Sequence, residues 1–249
     1  MGASMAMDAS MYDTHSLAQA SLHSLASPML KTAATAAARA ALAFGSEAIR
    51  ILVIGAATGS NDVAAINMHV VPAMRAAAPA LPVSAVFTDV PSNDWNVLVL
   101  ELAKLEGVSV SSASIGFLDA KIVLDQSIHL VLCFSALHWQ SKLPWGTDTS
   151  ELNEAISYLV LPPRPKAQIV ASADAQLARF FKHRMAELVP GGQVRATGCH
   201  LPARRFVFEL LPTSLAADCG GNGRRKQRER CPPVCPDLPT ASQSARVDD

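Results

Sequence analysis

Arg50-Ile-Leu-Val-Ile-Gly-Ala-Ala-Thr-Gly59 is the stretch on which the fold turns. Its apolar part, with Ile49 before it, predicts a short strand over Ile49 to Ile54, buried on both faces and so needing no polar alternation. The glycines that follow predict a tight turn into a helix. A second stretch, Ala85-Val-Phe-Thr-Asp-Val-Pro-Ser-Asn-Asp-Trp-Asn96, reads as a strand that ends on a carboxylate. In an open α/β sheet, ligands bind beyond the carboxyl ends of the strands. Gly55 and Gly59 permit close approach of backbone to a ligand, and Asp89 is placed to accept hydrogen bonds from ribose hydroxyls. The two stretches read as the halves of a nucleoside-binding crevice.

Outward from this pair, strands and helices alternate. Apolar and small residues from Tyr12 to Phe44 predict one or two helices, interrupted near Ser27-Pro28. Val63 to Met74 reads as the helix after the glycine turn, with Pro72 near its end. Strands are expected at Val83 to Thr88, Val108 to Ser112 and Ile128 to Phe134, and helices at Trp95 to Leu105, Leu152 to Leu161 and Ala173 to Leu188. Pro190-Gly-Gly192 reads as a turn into a strand at Gln193 to Thr197, and Arg205 to Leu210 as a final strand. The alternation predicts a doubly wound, mostly parallel sheet of Rossmann-like type.

Composition bounds the rest. The 249 residues are 50% hydrophobic and 17% charged, with formal net charge zero, which gives no electrostatic case for nucleic acid or an anionic membrane. No uncharged apolar run reaches the roughly 18 residues of a spanning helix. The N-terminus carries Asp8, Asp13 and His15 and lacks the pattern of a signal peptide, so a cytoplasmic address is expected. The five cysteines are irregularly spaced, and Cys231-Pro-Pro-Val-Cys235 has no second ligand pair, so no metal site is read. Three segments are expected: a disordered N-terminus over 1–11, one domain over 12–212, and a basic, proline-rich disordered tail over 213–249.

The glycine turn lacks the third glycine of a dinucleotide cradle and is followed by no Gly-Lys-Ser/Thr. A turn that takes a ligand without cradling phosphate suits S-adenosylmethionine. Each element also has a purely structural reading: the turn as a plain strand-to-helix link, Asp89 as one of several helix-capping residues before Trp95. Ser135-Ala-Leu-His-Trp139 follows directly on a strand and emerges at the same sheet edge, as a substrate contact or as packing under a loop.

Tyr12-Asp-Thr-His-Ser16-Leu-Ala-Gln19, Asp89-Val-Pro-Ser-Asn-Asp-Trp-Asn96 and Ser135-Ala-Leu-His-Trp139-Gln-Ser141 stand in the order seen in the SABATH methyltransferases. This family, which the chain resembles over about residues 12 to 200, comprises carboxyl methyltransferases of salicylate, benzoate and jasmonate and related N-methyltransferases. The resemblance implies a methyl ester formed from a small-molecule carboxylate, with S-adenosylmethionine as cofactor. Ser16, Gly55, Asn61 or Asp62, Asp89, Val90, Ser114 and Ile115 would contact the cofactor, and Tyr12, Gln19, His138 and Trp139 the substrate. No residue is assigned as a general base, because the acceptor carboxylate is already ionised near neutral pH.

Two departures stand out. Family members carry an acidic residue two before the glycine, where this chain has Val53, and they run longer, so the helical cap over the acceptor is expected to be reduced or missing. The resemblance is also compatible with an inactive cofactor-binding homologue or an N-methyltransferase. A dinucleotide-dependent oxidoreductase is disfavoured by the incomplete glycine pattern. A homodimer is an expected assembly, with no nucleic-acid or membrane partner.

Overall fold

The computed structural model describes residues 17–115, 120–134, 136–137, 163–200 and 204–210. Tyr12, Ser16, His138, Trp139, the expected helix at Leu152 to Leu161 and both expected disordered ends lie outside these residues. The expectation of a reduced cap bears on no described residue.

A six-stranded sheet organises the chain. Its strands are β1 (Ile49–Ile54), β2 (Val83–Asp89), β3 (Val108–Ser114), β4 (Ile128–Phe134), β5 (Leu188–His200) and β6 (Arg204–Leu210), in the order β3-β2-β1-β4-β5-β6. All neighbouring pairs are parallel except β5 and β6. This is the expected doubly wound sheet with an antiparallel edge strand, and the order reverses between β1 and β4, where such sheets bind ligands.

Alternation along each strand builds two cores. Ile51 and Val53 of β1, Ala85 and Phe87 of β2, and Leu130 and Leu132 of β4 face one way, against the helices α1 (Leu17–Phe44), α2 (Ser60–Ala65), α3 (Val71–Ala77) and α4 (Trp95–Leu102). Leu52, Ile54, Val131 and Cys133 face the other way, against Phe180 and Leu177 of α5 (Pro163–Glu187).

Helix α1 is continuous, not broken at Ser27-Pro28. Pro28 and Ser24 are exposed, so the Ser24 carbonyl, which loses its helical donor to the proline ring, faces water. The opposite stripe of Ala26, Leu30, Ala33, Ala34, Ala37, Ala38 and Ala41 is buried, and its small side chains let the helix lie close on the sheet. Pro72 also falls inside a helical run, not at its end. A π-helical turn over Ile66–Val70 separates α2 from α3, and the wider turn accommodates a ring that would collide with the carbonyl four residues back.

Pro190-Gly-Gly192 is no turn before a strand but a bulge within β5. Leu188 pairs with Ile128, and the next pairing is Gln193 with Leu130. Gly191 has φ +80°, and a Cβ on Gly192 would come within 3.2 Å of the Ile128 carbonyl. The Gln193 amide closes the bulge by donating to Gly191 O at 3.0 Å.

Candidate cofactor site

The crevice forms where β1, β2 and β4 end. Gly55 N donates to Thr88 O at 2.9 Å, which ties the first residue of the turn to the end of β2. Gly55 has φ +74° and Ala57 φ +49°, so this short segment passes twice through the left-handed region. Such a conformation in a non-glycine residue persists only when it is held from outside. Here Ala57 N donates to Asp89 Oδ2 at 2.6 Å, and Asn93 Nδ2 donates to Ala57 O at 2.8 Å.

Asp89 is therefore on the same rim as the glycine turn. Its second oxygen, Oδ1, accepts from Val90 N at 2.7 Å. Burial pushes its carboxyl above the usual range, and the bonds from Ala57 and Val90 oppose that rise. Two backbone bonds leave a carboxylate with lone pairs to spare, enough to accept from a diol. The capping alternative is assigned elsewhere: Asp94 caps α4 by accepting from Val97 N at 3.2 Å.

Gly59 has a different reason from the one expected. Its φ is +87°, and a Cβ there would sit 2.7 Å from Leu98 Cδ1 of α4. The residue is a glycine for helix packing, whereas Gly55 borders the crevice. Beside it, Val90 is 40% exposed. Ser114 pairs in register with Asp89, and Thr88 Oγ1 donates to Ile115 O at 3.2 Å, so the end of β3 is held against the end of β2.

Asn61 and Asp62 open α2, beside the turn. Asp62 is 7% exposed. Burial, then the neighbouring charge of Asp89, pushes its carboxyl up to about 8. The buried Cys133 thiol at the end of β4 is raised by its own burial first, and by both carboxylates in turn.

His23 was not anticipated. It lies on α1, 7% exposed, with its ring 4.2 Å from that of Phe134, and Nδ1 donates to Asn61 O at 3.1 Å. Burial holds the imidazole below its usual range, and the Asn61 bond partly offsets this. The available signal was spacing: Gln19, expected at the substrate, precedes His23 by four residues, which puts the two positions on one face of a helix.

The sequence model of the family described as SAM dependent carboxyl methyltransferase matches residues 4–214. A probable jasmonic acid carboxyl methyltransferase 2 of Theobroma cacao is 25% identical over 168 residues, 59% of this chain and 45% of that protein. A gibberellic acid methyltransferase 2 of Arabidopsis thaliana is 26% identical over 159 residues, 58% of this chain and 41% of that protein. The chain thus spans less than half the length of these relatives. A solved structure of a loganic acid methyltransferase with SAH shares the fold at a TM-score of 0.60 and 21% identity, over 79% of this chain and 58% of that one. The match over residues 4–214 places the chain in the SAM dependent carboxyl methyltransferase family.

Proposed function

We propose that this protein methylates the carboxylate of a small organic acid, using S-adenosylmethionine as methyl donor. The observation that carries the reading is the Asp89 carboxylate fastened across the crevice to Ala57 N, at the carboxyl edge of a methyltransferase-type sheet. A nucleoside fits these residues: spare acceptor lone pairs on Asp89 for the ribose, an exposed Val90 for the base, and the left-handed Gly55 turn beside them. Asn61 and Asp62 would take the amino-acid end of the donor. Ser114 and Ile115 would line the adenine side, and Ser16 would join them from the chain ahead of α1.

When bound, S-adenosylmethionine supplies an activated methyl group on a sulfonium. The protein then has to orient an oxygen that is already anionic and to keep water away from it. Gln19 and Trp139 would hold the acceptor by neutral hydrogen bonds, with Tyr12 and His138 bordering the pocket. Neutral donors orient a carboxylate without offering a rival nucleophile. No proton has to be removed from the acceptor, so no general base is assigned.

A methyl-transfer assay over aromatic and aliphatic acids tests the reading, with ester formation read by mass spectrometry. Turnover on at least one acid supports it. Binding of S-adenosylhomocysteine without transfer to any acid would identify an inactive homologue. Within this proposal the protein works in the cytoplasm and forms a homodimer, which sedimentation of the purified chain tests.

A further inference from the structure

Two opposite charges of α5 are buried where stability alone does not call for them. Arg184 and Glu187 are both fully enclosed, with Arg184 Nε donating to Glu187 Oε2 at 2.6 Å and Nη2 donating to Oε1 at 2.8 Å. Taking two charges out of water costs about what their attraction returns, and well-packed apolar side chains serve a core as well. What an apolar pair cannot do is hold backbone. Arg184 Nη2 also donates to Ala120 O at 2.9 Å, and Glu187 Oε1 accepts from Ile122 N at 2.6 Å and from Val123 N at 3.3 Å.

Those three backbone groups belong to the crossover from β3 to β4. A crossover between parallel strands is usually a helix, which satisfies its own backbone. Among the described residues of this one, 120–127, there is no helix, so their N–H and C=O groups need partners from outside. Ile122 and Val123 pack against the core that holds Ile54 and Cys133, between the sheet and α5. The other end of the crossover is at the crevice. Thr88, fully buried, donates from Oγ1 to Ile115 O, while its carbonyl accepts from Gly55 N. Only four residues separate Ile115 from Ala120.

The clamp also lies close beneath the crevice. The charge of Arg184 reaches the Cys133 thiol at the end of β4, as do the charges of Asp62 and Asp89 from the crevice side. Phe180 backs the guanidinium, its ring centroid 5.4 Å away. Resting on the methyltransferase reading, in which Ser114 and Ile115 line the base of the donor, we propose that Arg184 and Glu187 are positioning residues for that side of the crevice. They fix the crossover from below, so that the end of β3 stays at a set distance from Val90 and the slot for the base keeps its width. Their action passes through the backbone of Ala120, Ile122 and Val123 to Ile115, and not through contact with the ligand.

Arg184→Lys tests this on the full chain. It keeps a charge beside Glu187 but lacks the planar fork that serves Glu187 and Ala120 O together. Calorimetry well below the melting temperature reads the affinity of the folded protein, with S-adenosylhomocysteine and with 5′-methylthioadenosine, which has the same nucleoside without the amino acid. Because the effect falls on the base, Arg184→Lys should weaken both ligands alike, by about tenfold. His129→Gln is the control: it loosens the opposite, amino end of the sheet, where His129 accepts from Arg50 N, and should leave both affinities unaltered. The wild type gives a second measurement, since coupling between two sites is reciprocal and filling the slot must tighten the clamp. On binding S-adenosylhomocysteine, hydrogen exchange at Ile122 N and Val123 N should slow about tenfold more than at Gln126 N and Ser127 N, which bond only the α5 carbonyls of Ala186 and Glu187.

Wild-type affinity in Arg184→Lys, weakening confined to S-adenosylhomocysteine, or equal weakening by His129→Gln overturns the proposal and leaves the pair a structural clamp. If Arg184→Lys does not fold, hydrogen exchange decides alone, and equal slowing at all four amides overturns it. Failure of the wild type to bind either nucleoside overturns the methyltransferase reading, and this inference with it.

Discussion

Asp89 performs two tasks at once, and substitution can separate them. Its oxygens hold Ala57 N and Val90 N, so they set the shape of the turn before any ligand arrives. In Asp89→Asn an amide NH2 must replace one of these acceptors and face a backbone N–H. The clash should cost about 1–3 kcal/mol of stability, the usual penalty for a buried group left without a partner. Loss of the anionic acceptor should also weaken S-adenosylhomocysteine by tenfold or more, for which a charge-assisted bond suffices. Thermal melts with and without the ligand measure both effects. A variant that melts lower yet binds normally would show that Asp89 only shapes the turn. Gly59 gives a contrasting case. Gly59→Ala faces left-handed strain of about 1–2 kcal/mol together with the 2.7 Å approach to Leu98. Adding Leu98→Ala should not restore Gly59→Ala to the stability of Leu98→Ala alone, because the backbone strain survives when the contact is gone. Full recovery in urea melts would instead assign the whole cost to packing.

At the scale of elements, the mostly apolar runs of β1, β2 and β4 made these strands legible, because burial on both faces leaves them few polar residues. The bulge in β5 was not legible as one. Pro-Gly-Gly permits both a turn and a bulge, and only pairing with Ile128 and Leu130 selects between them. The carboxylate and the glycine turn could be read from residue type and place, yet their direct bond through Ala57 N depends on tertiary approach. Polar contacts distant in sequence were equally hidden. Glu187 Oε1 accepts from Ile122 N at 2.6 Å, and Arg184, fully buried with Glu187 and paired to it at 2.6 Å one helical turn away, donates to Ala120 O at 2.9 Å. This clamp holds the lead-in to β4 on the end of α5. His129 joins β4 to the entry of β1 in the same manner. Its Nδ1 accepts from Arg50 N at 2.9 Å, so the proton is on Nε2, which donates to Ser46 Oγ at 2.9 Å. A protonated ring would lose the first bond. Burial, then the Arg50 charge, lowers the group from 6.5 to about 4. The sign follows: the unfolded chain takes up the proton first, so stability is complete above about pH 6.5 and declines as pH falls toward about 4. His129→Gln, which preserves an acceptor and a donor, should melt with a shallower acid dependence than the wild type between those limits. Parallel pH profiles would remove His129 from the account.

For the whole molecule, the question is how much of the chain the fold requires. The family match ends at residue 214, the last described strand at Leu210, and the compact unit that contains the sheet at Leu215. Beyond lies Cys219-Gly-Gly-Asn-Gly-Arg-Arg-Lys-Gln-Arg-Glu-Arg230, which has no apolar periodicity to offer a core. Ending the chain after residue 215 removes six basic residues, the five of this run and Arg246, and five acidic ones, Asp218, Glu229, Asp237, Asp248 and Asp249, so that 15 basic and 16 acidic residues remain and the net charge moves from zero to −1. A shift of one unit in net charge is a small perturbation for a domain of this size at physiological salt. A chain ended after residue 215 should therefore keep its unfolding free energy within about 0.5 kcal/mol, the range of surface changes. It should also bind S-adenosylhomocysteine with unaltered affinity. Loss of either would show that the tail contributes to the domain, and the boundary drawn from composition would have to move beyond it.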